Sequence, residues 1–491
     1  MLNRQNYLRE IHRVVHEGRF QDTWESLSQY RVPDWYVNAK FGIFIHWGVY
    51  SVPAFGSEWY SRNMYLQGTK EFEHHRKTYG NQKDFGYKDF IPLFRAERFD
   101  PEAWADLFRQ AGARYVVPVA EHHDGFQMYK SELSHFNAYE MGPHRDVAGE
   151  LKLALESRGL VYGASSHRVE HWFFMGHGKE FPSDIHEPLK QGDLYWPSMP
   201  EREILDLFSE PKPTAAFLED WLLRTCELVD RYHPRVLYFD WWIQHSAVKP
   251  YLKKFAAYYY NRAAQWGTGA VINYKYDAFP MGSAVLDMER GQFADAKPYF
   301  WQTDTSVARN SWGYTENNDY KPVSEILCTL ADVVSKNGCL LLNIGPRADG
   351  TIPDEDRNLL LEVGSWLRVN GEAIYDTHVW RVSQEGETKA ANGQFADEKG
   401  TAYTASDIRF TAKGPYVYAI VLRAPEDGVV RIQSLADRDA QKTPCFHGVI
   451  RDVIVLGESE KPQWERSAQA LTVRMEKAKN DHPVVVRILT D

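Results

Sequence analysis

Cysteine is scarce in this chain of 491 residues: Cys226, Cys328, Cys339 and Cys445 are the four, and none stands in C-x-x-C spacing. That excludes a zinc knuckle and a disulfide framework, so free thiols are expected. Basic residues are outnumbered, 57 Lys and Arg against 67 Asp and Glu, and no basic stripe gathers on one segment. With a formal net charge of −10, nucleic acid is not an expected partner, because binding a phosphate backbone needs concentrated positive charge. Long apolar runs are missing as well. No stretch approaches the roughly 20 residues that cross a bilayer, and the opening MLNRQNYLREIHRVVHEGRF is charged throughout, where a secretory leader has an apolar core. The expectation is a cytoplasmic protein with no membrane partner.

Aromatic residues are plentiful at 14%, including 16 Trp and 28 Tyr, and 43% of the chain is hydrophobic. That is enough for one large domain and a smaller one, each with its own core. Aromatics serve such cores, and they also line carbohydrate sites by stacking on the apolar faces of sugar rings.

The run Val236 to Ile243 carries four apolar or aromatic residues into a lone carboxylate, Asp240, followed by two tryptophans. It reads as a buried strand ending at a pocket. Two readings of Asp240 stay open on this stretch alone: a cap or buried ion pair, and a functional carboxylate. The same pattern recurs elsewhere. Residues 1–34 form a helical lead-in, and Lys40 to Tyr50 is a strand that delivers His46 and Trp47, with Glu58, Trp59 and Tyr60 close behind. Asp100 caps a helix begun by Pro101, and the strand after it presents Glu121, His122, His123 and Asp124.

Strands starting near 41, 114, 160, 235, 270, 284, 299 and 339 alternate mainly with helices, the rhythm of an α/β fold of (β/α)8-like (TIM-type) barrel form. His46, His122, His123, Asp240, Lys275 and Glu289 all fall at or beyond the carboxyl ends of these strands, the face that carries active sites in such barrels. Beyond Gly371 helical spacing disappears, and alternating β-branched segments predict a C-terminal antiparallel β-sandwich. The predicted division is 1–370 for the barrel with its lead-in and 371–491 for the sandwich.

Three chemistries fit these residues. A retaining glycosidase needs two carboxyl groups, for which Asp240 is the nucleophile candidate and Glu289 the acid/base candidate, with Asp287 as its rival. An ion pair with Arg290 or another neighbour is the structural alternative for Glu289. A metal-dependent hydrolase would use the histidine cluster, although neighbouring strand residues point to opposite faces, so His122 and His123 share one metal only if the strand distorts. A non-catalytic carbohydrate-binding protein would keep the aromatics and histidines without requiring the carboxylates.

Phe41 to Gly48 (FGIFIHWG), Ser57 to Tyr60 (SEWY), Glu121 to Phe126 (EHHDGF), the Asp240 strand and Ser311 to Tyr314 (SWGY) together resemble the α-L-fucosidases of glycoside hydrolase family 29, in order and spacing, from about residue 30 to 375. The resemblance implies a retaining exo-α-L-fucosidase that needs no cofactor and no metal and acts on a fucosylated glycan or glycoside, with self-association into a homo-oligomer left open. On the family pattern Asp240 matches the nucleophile, and His46, Glu58, Trp59, His122 and His123 match positions that hold the fucose hydroxyls. Tyr238 and Trp312 match aromatic walls. Many relatives carry Trp-Glu where this chain has Trp301-Gln302, which sends the acid/base role to Glu289. Lys275 stands at a position associated with a sugar-contacting Arg.

Overall fold

The computed structural model describes residues 3–201, 208–397, 400–437, 446–476, 478 and 480–491. Cys445 lies outside the described residues, and Cys226, Cys328 and Cys339 are buried free thiols. Eight strands pair in parallel and in chain order: β1 (Phe41–Ile45), β2 (Tyr115–Glu121), β3 (Val161–Ser166), β4 (Val236–Phe239), β5 (Val271–Tyr274), β6 (Val285–Glu289), β7 (Trp301–Ser306) and β8 (Gly338–Ile344). β8 closes on β1, with Phe44 opposite Asn343.

These strands are buried on both faces, and alternate residues go to two different cores. Phe44, Tyr115, Val117, Tyr238, Val271, Val285 and Leu341 meet one another inside the barrel. Their sequence neighbours Ile43, Val116, Leu237, Ile272 and Leu340 pack outward against the helices. This period of two aims the site. Counting two or four residues onward from the interior set reaches His46, Asp240, Lys275, Glu289 and Asn343, all at the carboxyl-end mouth.

Outside the barrel lie the lead-in helix Arg4–Glu17 and the helices Pro101–Gln110, Val147–Ser157, Ala215–Tyr232, Lys249–Gln265, Val323–Ser335 and Asp354–Asn370. Asp100 caps the helix Pro101–Gln110 as predicted, accepting from the Ala103 amide at 3.0 Å, and Trp104, Leu107 and Phe108 form its buried face. Among the described residues only loops join β5 to β6 and β6 to β7. Those loops are free to shape the mouth.

The C-terminal part holds two antiparallel sheets. Five strands, β9 (His378–Glu385), β10 (Ile408–Lys413), β11 (Tyr416–Val421), β13 (Ile450–Val455) and β16 (Val484–Thr490), run in the order β13-β16-β11-β10-β9. The other sheet has the order β12-β15-β14, from β12 (Val429–Ile432), β14 (Gln463–Arg466) and β15 (Leu471–Arg474). Val417, Ala419 and Val421 face the sandwich core, whereas Tyr418, Ile420 and Leu422 join the core of the barrel. A buried charge cluster crosses this seam: Asp332, on the helix Val323–Ser335, takes the Lys336 ammonium at 2.5 Å and the Arg409 guanidinium of β10. β9 and β14 lack a clear β-branched alternation, since HVWRVSQE and QWER carry charges and neither has a fully buried residue.

Candidate active site

A cavity of about 780 Å³ opens at the mouth of the barrel, lined by His46, Glu58, Trp59, His122, His123, Tyr238, Asp240, Glu289 and Trp312 among others. All the candidate site residues except Lys275 and Asp287, the rival to Glu289, line this one cavity. Asp287 is fully buried beside Lys275. Lys275 is itself fully buried, its ammonium 2.6 Å from Asp287, 3.1 Å from Glu289 and 3.5 Å from Asp304.

Asp240 follows β4 and receives two imidazoles on Oδ2, His167 Nδ1 at 2.9 Å and His123 Nε2 at 3.2 Å. Burial alone would raise its pKa. The His167 and His123 rings outweigh burial and hold it well below the ordinary carboxylate value. His123 is fixed from its other side, where Nδ1 donates to the His167 carbonyl at 2.9 Å and lies 3.4 Å from Glu170. Oxygen acceptors at both nitrogens call for protons on both. Burial opposes that charge, yet the carboxylates of Glu170 and Asp240 push the His123 pKa up to about 9.

Glu289 has the opposite environment. Burial raises its pKa, Lys275 lowers it and the charge of Asp240 raises it again, leaving it at about 7. Its Oε2 accepts from Trp241 Nε1 and forms an ion pair with the Lys275 ammonium at 3.1 Å. Arg290, the ion-pair partner considered from sequence, lies over the Trp312 ring at 4.5 Å instead. Beneath them Asp304 accepts from the Tyr238 hydroxyl at 2.7 Å, and its pKa is raised well above the usual range by burial and by Asp287. Gln302 is a fully buried bridge that accepts from Tyr36 at 2.6 Å and donates to Asp287 at 2.7 Å.

Two motifs far apart in sequence meet at Glu58. Its Oε2 accepts from the Trp312 amide at 2.9 Å, the Gly313 amide at 3.3 Å and the Ser311 hydroxyl at 3.2 Å. His46 is anchored through Nδ1 to Asn343 at 2.7 Å, and burial drives its pKa, like that of His122, well below the ordinary value. Both rings are therefore neutral near pH 7. His122 Nδ1 is a buried atom without a hydrogen-bond partner among the described residues. The pairing of β2 with β3 shifts register between Val119 and Glu121, and just beyond it both His122 and His123 face the cavity.

Sequence reasoning missed His167, Glu170, Asp304, Trp241 and Phe395. His167 and Glu170 follow β3, and the strand-end rule that selected the other residues reaches His167 too. Phe395 carried no local signal, because it comes from the chain beyond the barrel. His167 sits on a rigid base. Arg168 binds Glu121 at 2.7 Å and Asp220 at 2.9 Å, and Arg224 bridges the same two carboxylates at 3.1 and 2.8 Å.

A closed parallel barrel whose mouth gathers Asp240 and Glu289 among several carboxyl groups, with neutral imidazoles and aromatic walls, has the groups a glycoside hydrolase needs. Residues 8–372 match the α-L-fucosidase family and residues 402–487 match the α-L-fucosidase C-terminal domain, so the chain belongs to the α-L-fucosidases. It is 34% identical to human tissue α-L-fucosidase over 429 residues, covering 86% of this chain and 83% of that protein. Human plasma α-L-fucosidase is 33% identical over 427 residues, covering 84% and 80%. The crystal structure of Thermotoga maritima α-fucosidase superposes with a TM-score of 0.74 at 31% identity, covering 96% of this chain and 100% of that one. Membership in a glycosidase family removes the non-catalytic reading. It also corrects the cytoplasmic expectation, since the relatives include plasma α-L-fucosidases.

Proposed function

We propose that this α-L-fucosidase is a retaining exo-enzyme in which Asp240 is the nucleophile and Glu289 the acid/base. The observation that carries the reading is the opposite tuning of two carboxylates on one cavity, Asp240 held ionised and Glu289 held near neutrality. Carboxylates pushed apart in this way divide into an ion and a proton donor.

Asp240 attacks the anomeric carbon while Glu289 gives its proton to the departing glycosidic oxygen. Because Trp241 and Lys275 both occupy Glu289 Oε2, the transferable proton belongs on Oε1. The fucosyl ester on Asp240 is then opened by a water that Glu289, now ionised, deprotonates, and the second inversion restores the anomeric configuration. His46, His122 and Glu58 supply polar atoms for the sugar hydroxyls, His123 commits both nitrogens to the His167 carbonyl and Asp240 and so positions the nucleophile, and Trp59, Tyr238 and Trp312 supply apolar wall for the methyl group. Lys275 acts from below, as the charge that keeps Glu289 from titrating higher still. A Thermotoga maritima relative, 31% identical, has been crystallised with fucose, which supports the sugar assigned to this cavity. The chain is proposed to divide at 370/371 into a catalytic barrel and a sandwich, since the last barrel helix ends at Asn370 and β9 starts at His378.

The test is hydrolysis of 4-nitrophenyl α-L-fucoside, with the first-formed sugar followed by proton NMR. Release of α-fucose, lost in Asp240→Ala, is expected. Release of β-fucose first, or full activity in the variant, would overturn the reading.

A further inference from the structure

On the outer side of Glu289 the cavity wall changes character. Trp241, Tyr276 and Phe395 line it there, and the last two are large aromatics left 51% and 46% exposed. The Trp241 and Phe395 rings run nearly parallel, 5.7 Å apart at 17°, and Tyr276 meets the indole edge-on at 4.5 Å and 63°. Exposed aromatic faces gathered at one opening are costly to leave in water and suit a flat, partly apolar ligand.

The backbone is built to hold them. Phe395 donates its amide to the Glu289 carbonyl at 2.8 Å, Gly393 to Gln292 at 3.0 Å and Asp397 to Arg290 at 2.9 Å, so a segment from beyond the barrel runs along the exit of β6. Trp242 (φ 76°), Tyr276 (φ 48°), Arg290 (φ 43°) and Phe395 (φ 54°) all lie in the left-handed region, which is unfavourable for such side chains. Strain gathered around one opening persists where the surroundings enforce it and is a mark of function.

We propose that Trp241, Tyr276 and Phe395 form the leaving-group subsite, a platform for the ring attached to fucose, and that the C-terminal part of the chain selects substrates through Phe395. The inference rests on the assignment of Glu289 as proton donor. A leaving oxygen within reach of Glu289 must carry its ring past Trp241, whose indole is bonded to that same carboxylate. The ligand class is a leaving group with an apolar ring face, either an aryl aglycone or a pyranose.

Three substrates test it: α-L-fucosyl fluoride, whose leaving group has no ring, 4-nitrophenyl α-L-fucoside, and a fucosyl-N-acetylglucosamine disaccharide. In Phe395→Ala the ratio of kcat/KM for a ring-bearing substrate to that for the fluoride should fall about tenfold, the scale of one aromatic contact. Phe395→Tyr should restore it, and Tyr276→Ala should lower it independently. A fall for both ring substrates assigns the platform to pyranoses and aryl groups alike, and a fall for the aryl substrate alone assigns it to aryl glycosides. Unmoved ratios in both alanine variants would overturn the platform while leaving the parent reading intact. Failure of the unaltered enzyme to consume the fluoride would overturn both.

Discussion

The ammonium of Lys275 lies 3.1 Å from Glu289 Oε2 while also serving Asp287 and Asp304, so one buried cation is shared among three carboxylates. Its charge stabilises the Glu289 anion. Replacing it in Lys275→Met should push the Glu289 pKa above its present value of about 7. The alkaline limb of kcat/KM, which reports the free enzyme's acid, should then move to higher pH. A limb that stays or moves down would contradict the arrangement.

Removing Glu289, the proposed acid, should separate substrates by leaving group. Glu289→Ala should lower kcat by about 10²- to 10⁴-fold on a sugar leaving group and by much less on an activated aryl fucoside, whose oxygen departs without protonation. Equal losses on both, read from initial rates, would move the acid role elsewhere.

His123 predicts a pH dependence of stability. Its folded pKa of about 9 lies above the unfolded value of 6.5, so the stability it contributes is complete below pH 6.5 and is lost as pH rises through 9. Thermal melts between pH 6.5 and 9 should show a steeper fall for the unaltered protein than for His123→Gln. Parallel curves would mean that the ring is not charged in the folded state.

Asp332→Ala strips the shared partner from Lys336 and Arg409, which are both buried. Uncompensated buried charge costs about 3 to 5 kcal/mol. Urea unfolding should show that loss, and because Arg409 sits on β10 the loss should loosen the seam between barrel and sandwich.

Chelation and metal addition should act in opposite ways. Nitrogen atoms of His46, His122 and His167 lie within 4.8 Å of one another, and burial keeps their pKa values low. Turnover should survive EDTA, whereas added zinc should occupy neutral imidazoles and inhibit competitively with the fucoside. Noncompetitive zinc inhibition would place its site elsewhere.

The strands were legible because parallel barrel strands are buried on both faces, and runs such as FGIFI and VLYF have few other uses. The strand-end rule then found His46, His122, His123 and Asp240, since the two-residue period that builds the barrel also aims its mouth. It could not tell lining from floor. Lys275 obeys the same rule but is drawn under the cavity by three carboxylates from β6 and β7, a convergence that no single stretch encodes. Phe395 was beyond reach for a different reason: its position depends on backbone pairing with residues about a hundred places earlier. The Ser57 and Ser311 motifs gave no hint that they meet, because Glu58 is satisfied by amides of a loop 254 and 255 residues away.

On the proposed assignment, that pairing of the 392–397 segment with the exit of β6 would divide the substrate between two parts of the chain. The fucose half would be read by loops of the barrel, and the half that leaves would be bordered by a segment contributed from outside it. Natural drift or laboratory recombination in the C-terminal segment can therefore redirect which glycan is trimmed while the sugar removed stays the same. A graft of residues 392–397 from one relative to another would be the smallest exchange to carry such a change.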